Sequence, residues 1–251
     1  MERIKISSLN FQKMDFFNKN DEFRNCDIFV DNKKMYKLFK NMNPYNSEKL
    51  VKKLDYLEKN EKMKKCVRVN KLIMFLDDVI GYEMDFFPNH RSFDDTLYDE
   101  NINTTLRKKL SKYSILELKE MHENGFVHTD FHIGNIITDE KDILFIDPDS
   151  FTPKLMCDEK LYDSEKINDI KNSIIVSLSY IYKIDFITFT EGFLIDMAKK
   201  ELHINSDLKE YILAAIHKDK SIKNTYIDVF LDKLDIDKVK YDQKNILDKY
   251  R

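Results

Sequence analysis

The stretch Gly125-Phe126-Val127-His128-Thr129-Asp130-Phe131-His132-Ile133-Gly134-Asn135-Ile136-Ile137, followed by Ile143-Leu144-Phe145-Ile146-Asp147-Pro148-Asp149, carries the chemistry of this chain. Two short apolar runs flank a polar loop, a turn at Asp139-Glu140-Lys141-Asp142 joins them, and each run delivers a carboxylate at its edge. Asp130 and Asn135 are five residues apart, and Asp147 follows Asn135 by twelve. Hard oxygen donors at this spacing suit Mg²⁺, which takes one or two carboxylates and completes its shell with water and substrate phosphates.

Working outward from that stretch, residues 103–124 read as a helix on the spacing of Leu106, Leu110, Tyr113, Ile115, Leu116, Leu118 and Met121, with Gly125 as its stop. Downstream, Ser150 to Asn168 reads as loop. A strongly apolar helix then begins at Asn168-Asp169, where the aspartate suits a helix N-cap. Amphipathic helices follow, including 191–202, 206–217 and 226–234. Upstream, Phe11 to Phe17 and Asp27 to Val30 are β-capable, and Asp31-Asn32-Lys33 turns the chain into Lys34-Met35-Tyr36-Lys37-Leu38-Phe39. In that run Met35, Lys37 and Phe39 share one face, and a lysine among such neighbours is ordinarily exposed or snorkelling. Ser47 opens a predicted helix with apolar positions Leu50, Val51, Leu54 and Leu57. Val67 to Leu76 and Val79 to Phe87 predict two further strands, and Pro88 ends the second.

Length and composition bound the class. The 251 residues suffice for one large domain or two small lobes around a cleft, and 42% hydrophobic residues with 12% aromatics exclude a disordered chain. The net charge of −3 is dispersed in both signs, which predicts neither a nucleic-acid footprint nor a polybasic membrane anchor. Cys26, Cys66 and Cys157 form no paired spacing, so reduced thiols are expected. The N-terminal residues lack the apolar run of a signal peptide and no stretch approaches a membrane span. A cytoplasmic protein is expected.

The order of these features resembles the protein-kinase-like superfamily, whose catalytic loop reads His-x-Asp-x-x-x-x-Asn and whose metal-binding Asp follows a short hairpin. Residues 27 to 182 carry the resemblance. It implies an α+β, bilobal fold: a small antiparallel β-sheet with one helix in an N-lobe, residues 1–87, and a mainly helical C-lobe, residues 88–251. It implies ATP and Mg²⁺ as cofactors and transfer of the γ-phosphate to a protein Ser/Thr hydroxyl. In that family's terms Asp130 orients the acceptor proton, His128 supports the loop, and Asn135 and Asp147 hold the metal. Lys37 grips the α- and β-phosphates, and an acid on the following helix orients it, with Glu48 favoured over Glu58. Met84 borders the adenine pocket, backbone groups of Asp85 and Phe87 bond the base, and Asp169 braces the catalytic loop from behind.

Three departures stand out. The first 80 residues contain no glycine, so the Gly-rich loop over the phosphates is missing, and Asn18-Lys19-Asn20-Asp21 is the turn available to replace it. Asp147-Pro148-Asp149 stands where the family has Asp-Phe-Gly, and Asp149 reads either as a second metal ligand or as a cap of the next turn. The span from Asp147 to Asp169 lacks Ala-Pro-Glu and offers little platform for a peptide. Three other readings stay open. One is a small-molecule or saccharide kinase similar to aminoglycoside and choline kinases, suggested by His132. Another is a pseudokinase binding module. The third is a metal-dependent hydrolase using His128, Asp130 and His132 on one strand face.

Overall fold

Alternation of apolar and polar side chains gives the first third of the chain its pairing. In the computed structural model, which describes residues 1–16, 25–184 and 191–250, the strands are β1 (Glu2–Lys5), β2 (Asp15–Phe16), β3 (Cys26–Asp31) and β4 (Lys34–Phe39). Helix α1 (Pro44–Glu58) comes next, then β5 (Val69–Phe75) and β6 (Asp78–Asp85). The six strands form one sheet in the order β1-β5-β6-β4-β3-β2. All its pairings are antiparallel except β1 with β5, so the sheet is mixed where an antiparallel one is expected from the resemblance. The parallel edge comes from Arg3, Ile4 and Lys5 aligning with Leu72, Ile73 and Met74, a strand that the polar N-terminus conceals in sequence. The tight turns at Asn32 and Leu76 adopt positive φ. Phe17 and the Asn18–Asp21 turn lie outside the described residues.

Helix α1 starts at Pro44, three residues before the expected Ser47, because the Asn43 side chain caps it by accepting from Asn46 N at 2.9 Å. Leu50 and Leu54 of α1 pack with Leu72, Val79, Tyr82 and Met84 in one apolar cluster. Ser47 is buried and its Oγ accepts from Val79 N at 2.9 Å, which ties the helix to the sheet.

The rest of the chain runs β7 (Arg91–Ser92), α2 (Thr104–Glu123), β8 (Phe126–His128), β9 (Ile136–Thr138), β10 (Ile143–Phe145), β11 (Phe151–Pro153) and α3 (Glu159–Tyr182). Then come α4 (Glu191–Asp196), a π turn Met197–Glu201, α5 (Ser206–Ile216), the short α6 (Asp228–Leu231) and α7 (Ile236–Tyr250). The expected helix at 226–234 is thus one turn long, and α7 follows it. Strands β10-β9-β7 form a three-stranded sheet and β11-β8 a two-stranded one. Leu110, Leu118 and Met121 of α2 pack with Phe126, Phe145, Phe151 and Tyr180, while the lower part of α3 packs with α5 and α7.

The loop expected from Ser150 to Asn168 is instead β11, a 3-10 turn and the first three turns of α3. Asp158 caps α3 by accepting from Leu161 N at 2.8 Å. Asp169 is therefore a helix-interior residue, not an N-cap. Among the described residues no helix is long and apolar enough to cross a membrane. The architecture is α+β, with a mixed β-sheet and about seven helices.

Candidate active site

Strand β4 lies between β3 and β6, and Lys37 pairs in register with Ile28 and Tyr82. Gly81 on β6 faces Leu38, and a Cβ there would collide with the Lys37 carbonyl, so the close approach of β6 depends on that glycine. Lys37 is 6% exposed, which is far below what a lysine tolerates without partners. Its Nζ donates to Asp147 Oδ1 and, at 2.9 Å, to Asp149 Oδ1, and it lies 5.3 Å from the Phe39 ring centroid. Tyr82 OH donates to the same Asp149 oxygen. Burial by itself disfavours the charge on Lys37. The carboxylates of Asp149 and Asp147 outweigh it and hold the ammonium above its ordinary pKa.

Both acids arrive on one tight turn. Strand β10 ends at Phe145, Asp147 takes a left-handed conformation at φ 69° and ψ 57°, and Pro148 begins a 3-10 turn. A non-glycine residue in that region costs on the order of 1 kcal/mol, and here it sets two carboxylates on one ammonium. Ser150 closes the turn, its Oγ donating to Asp147 O at 2.8 Å. Burial and then the Asp149 charge push the Asp147 carboxyl up. Burial acts the same way on Asp149, but Lys37 and the Tyr82 hydroxyl outweigh it and draw that carboxyl down. A second cation approaches from α1: Lys53 Nζ donates to the Asp149 carbonyl at 2.6 Å, and burial lowers its pKa to about 8.

The polar loop follows β8. Asn135 Nδ2 donates to Asp130 O at 2.9 Å and to Asp130 Oδ2 at 3.2 Å, locking the two expected partners together. His132 Nε2 lies 3.5 Å from the same carboxylate oxygen, and its Nδ1 accepts from Gly134 N at 3.0 Å. The His132 contact, opposed by partial burial, holds the Asp130 carboxyl below its ordinary pKa, so the residue is ionised at neutral pH. His128 ends β8 fully buried, edge-on to Phe131, Phe145 and Phe151, and burial pulls its pKa down to about 3. Its Nδ1 lies 3.4 Å from Asp130 N and from Ser150 Oγ, so the ring sits directly behind the loop.

Asp169 stands behind the loop, as expected, accepting from His128 N at 2.7 Å. It also meets His122 Nε2 at 2.9 Å, and His122 Nδ1 meets Tyr226 OH at 2.6 Å. Burial pushes Asp169 up and His122 down to about 3, so this fully enclosed chain avoids a separated charge pair.

Glu48 is not brought to the lysine. It faces solvent and pairs with Lys52 at 2.6 Å, one turn along α1. The reason is helical phase: at about 100° per residue Glu48 falls roughly 140° from the mean direction of Ser47, Leu50, Leu54 and Leu57. Glu58 contacts the N-terminal amine at 3.8 Å instead. The acids that do meet Lys37 are Asp147 and Asp149, and none comes from α1. Met84 is buried in the sheet opposite Met35. The Asp85 side chain is tied to Lys34 at 2.6 Å and Asn70 at 2.9 Å, and the Phe87 carbonyl accepts from His90 N at 3.0 Å. The hydrolase triad is not assembled. His128 is sealed among phenylalanines, and among the described residues no group of three or more His, Cys, Asp or Glu could hold a metal ion.

Asn135 spends its amide nitrogen on Asp130, which leaves its amide oxygen available as an acceptor, a hard donor of the kind Mg²⁺ takes. The features unforeseen in sequence are Tyr82, Lys53 and the contact of Asp149 with Lys37. Tyr82 is the cross-strand partner of Lys37, a relation fixed only once register is known. Compared with protein-family models and with curated proteins, the chain matches none.

Proposed function

We propose that the chain is an ATP- and Mg²⁺-dependent phosphotransferase with a bilobal, protein-kinase-like arrangement, residues 1–87 forming the smaller lobe and 88–251 the larger. The observation that carries this reading is the convergence of Lys37 with Asp147 and Asp149, alongside an Asn135 that holds Asp130. Bound Mg²⁺ supplies charge neutralisation at the phosphates. Lys37 adds a fixed positive charge, kept protonated by its two acids. Asp130, ionised and half-exposed, orients the acceptor hydroxyl and accepts its proton. Asn135 fixes the Asp130 rotamer, and Asp169 fixes the backbone from which the loop departs.

The resemblance favours a protein Ser/Thr hydroxyl as acceptor. A small-molecule or saccharide hydroxyl is supported by a specific observation: α3 begins at Glu159, so only eleven residues separate it from Asp147. That is a short platform for a peptide. The test is incubation with labelled ATP and Mg²⁺, scoring self-phosphorylation and transfer to generic protein acceptors and to a panel of sugar alcohols. Calorimetry should show ATP binding that requires a divalent ion and is lost in Asp147→Ala. Binding without Mg²⁺, or unchanged in that variant, overturns the assignment.

A further inference from the structure

The segments after α3 line a half-open cavity of about 420 Å³ that the proposed phosphotransfer chemistry does not use. Its polar wall is rich in cations: Lys200, Lys209, Lys233 and Lys238 line it together with the His203 imidazole, against the single carboxylate of Asp235. Its apolar wall includes Leu202, Leu208 and Phe230, and Phe230 is stacked on Tyr211 at 4.9 Å between centroids. Asp235 accepts from the backbone N–H groups of Asp237 and Lys238, at 3.0 and 3.4 Å, as the opening turn of α7. Among the described residues the ammonium groups of Lys233 and Lys238 make no ion pair, whereas Lys200 is paired with Asp196 at 3.1 Å.

A second feature makes this wall more than a patch of solvated lysines. Asp242 on α7 is 1% exposed, and its carboxylate is spent on one residue of the cavity. It accepts from His203 N at 2.8 Å and engages His203 Nδ1. A buried carboxylate is costly to desolvate unless it is fully partnered. Here that partner is a cavity-lining imidazole, whose ring is thereby fixed with Nε2 as its remaining polar atom. The site thus combines a positioned ring nitrogen, lysines without acidic partners, and an apolar surface, in a volume suited to a small organic molecule.

We propose that this cavity binds a small amphipathic organic anion, an aromatic or aliphatic body bearing a phosphate, sulfonate or carboxylate group. The apolar body packs on Leu202, Leu208 and Phe230, and the charged group meets Lys233, Lys238 and His203. Lysine recognises such groups as a point charge without demanding one geometry, so the class is set by charge and by an apolar body of limited size.

The test uses the full chain and anilinonaphthalene sulfonate, which joins one negative charge to an aromatic body and reports binding by fluorescence. Expected are saturable binding of one probe per chain, weakening with added salt, and a loss of about tenfold or more in affinity in Lys233→Glu/Lys238→Glu. The charge-matched control Lys59→Glu/Lys64→Glu should bind like the parent, and the uncharged analogue phenylnaphthylamine should bind much more weakly. Amide chemical-shift changes should concentrate in residues 200–209 and 230–238, a readout that needs no variant. Non-saturable binding, equal loss in the control pair, equal binding of the uncharged analogue, or shifts elsewhere overturns the proposal. No step of this test involves phosphate transfer, so it stands or falls separately from the phosphotransferase reading.

Discussion

Replacing Asp149 and replacing Glu48 should have opposite weights to those the family pattern assigns. Glu48 is exposed and pairs with Lys52 at i,i+4, where solvent screens the interaction. Glu48→Ala should therefore leave stability and nucleotide affinity essentially unchanged. Asp149 accepts from Lys37 and from the fully buried Tyr82 hydroxyl. Removing its carboxylate orphans that hydroxyl, at about 1–3 kcal/mol, and leaves a buried ammonium with one acid in place of two. Losing one partner of a buried ion pair outright costs about 3–5 kcal/mol, and Asp147 limits the loss here to part of that. Asp149→Ala should accordingly lose about 3–5 kcal/mol, read as a lowered midpoint of urea unfolding. Asp149→Asn keeps an acceptor for Tyr82 and should recover roughly half. Mg²⁺-dependent ATP binding, measured by calorimetry, should weaken by about tenfold in Asp149→Ala as Lys37 loses its orientation. If Asp149→Ala unfolds within about 0.5 kcal/mol of the parent, or Glu48→Ala costs as much, Asp149 does not orient the lysine.

Three other outcomes are expected. Asp130→Asn should lose phosphoryl transfer by about 10²–10⁴ while ATP affinity holds within a few fold, because a residue that acts on the acceptor proton contributes in the transition state; equal rates refute the role. Glu117 is buried, and burial followed by the charge of Glu120 raises its carboxyl to about 7 from an ordinary 4.5, so its contribution is fully present below pH 4.5 and disappears as pH rises through 7. Glu117→Gln should match the parent at pH 4 and exceed it by up to about 3 kcal/mol at pH 8, and a difference that ignores pH sinks the argument. Asp169→Ala removes the acceptor of both His128 N and His122, and should cost about 2–4 kcal/mol in thermal or urea unfolding; a neutral result would mean the chain behind the loop carries no weight.

How far the sequence discloses the molecule depends on the range of the interaction. Helix α2 was legible to within one residue at each end, because its apolar spacing and the Gly125 stop are local signals. The pairing of Asn135 with Asp130 is equally local, spanning five residues. The start of α3 was hidden because Glu159 to Lys166 is polar, with Tyr162 alone buried, so apolar periodicity appears only from Ile167. Strand β1 was hidden for a related reason: three of its four residues are exposed, and it exists through register with β5, some seventy positions away. The cation cavity joins residues 200–209 with 230–238 and shows no motif in either segment.

The misassigned helix acid is the instructive case, since the information was present. Leu50, Leu54 and Leu57 define the buried face of α1, and they already place Glu48 on the opposite side. What the sequence could not supply was the substitute. A buried lysine requires anionic partners wherever the fold can deliver them, and Asp147-Pro148-Asp149 delivers two on one turn. The left-handed Asp147 sets that turn, and Pro148 continues it into a 3-10 turn that carries Asp149 under Lys37 and Tyr82. With the orienting acid on the same turn as the proposed metal ligand, the lysine is held without any acid on α1. Helix α1 keeps a link to the site of the opposite sign, through Lys53 on the Asp149 carbonyl. A movement of α1 therefore acts on the turn through Lys53, and on the strand of Lys37 through the packing of Leu50 and Leu54 with Tyr82.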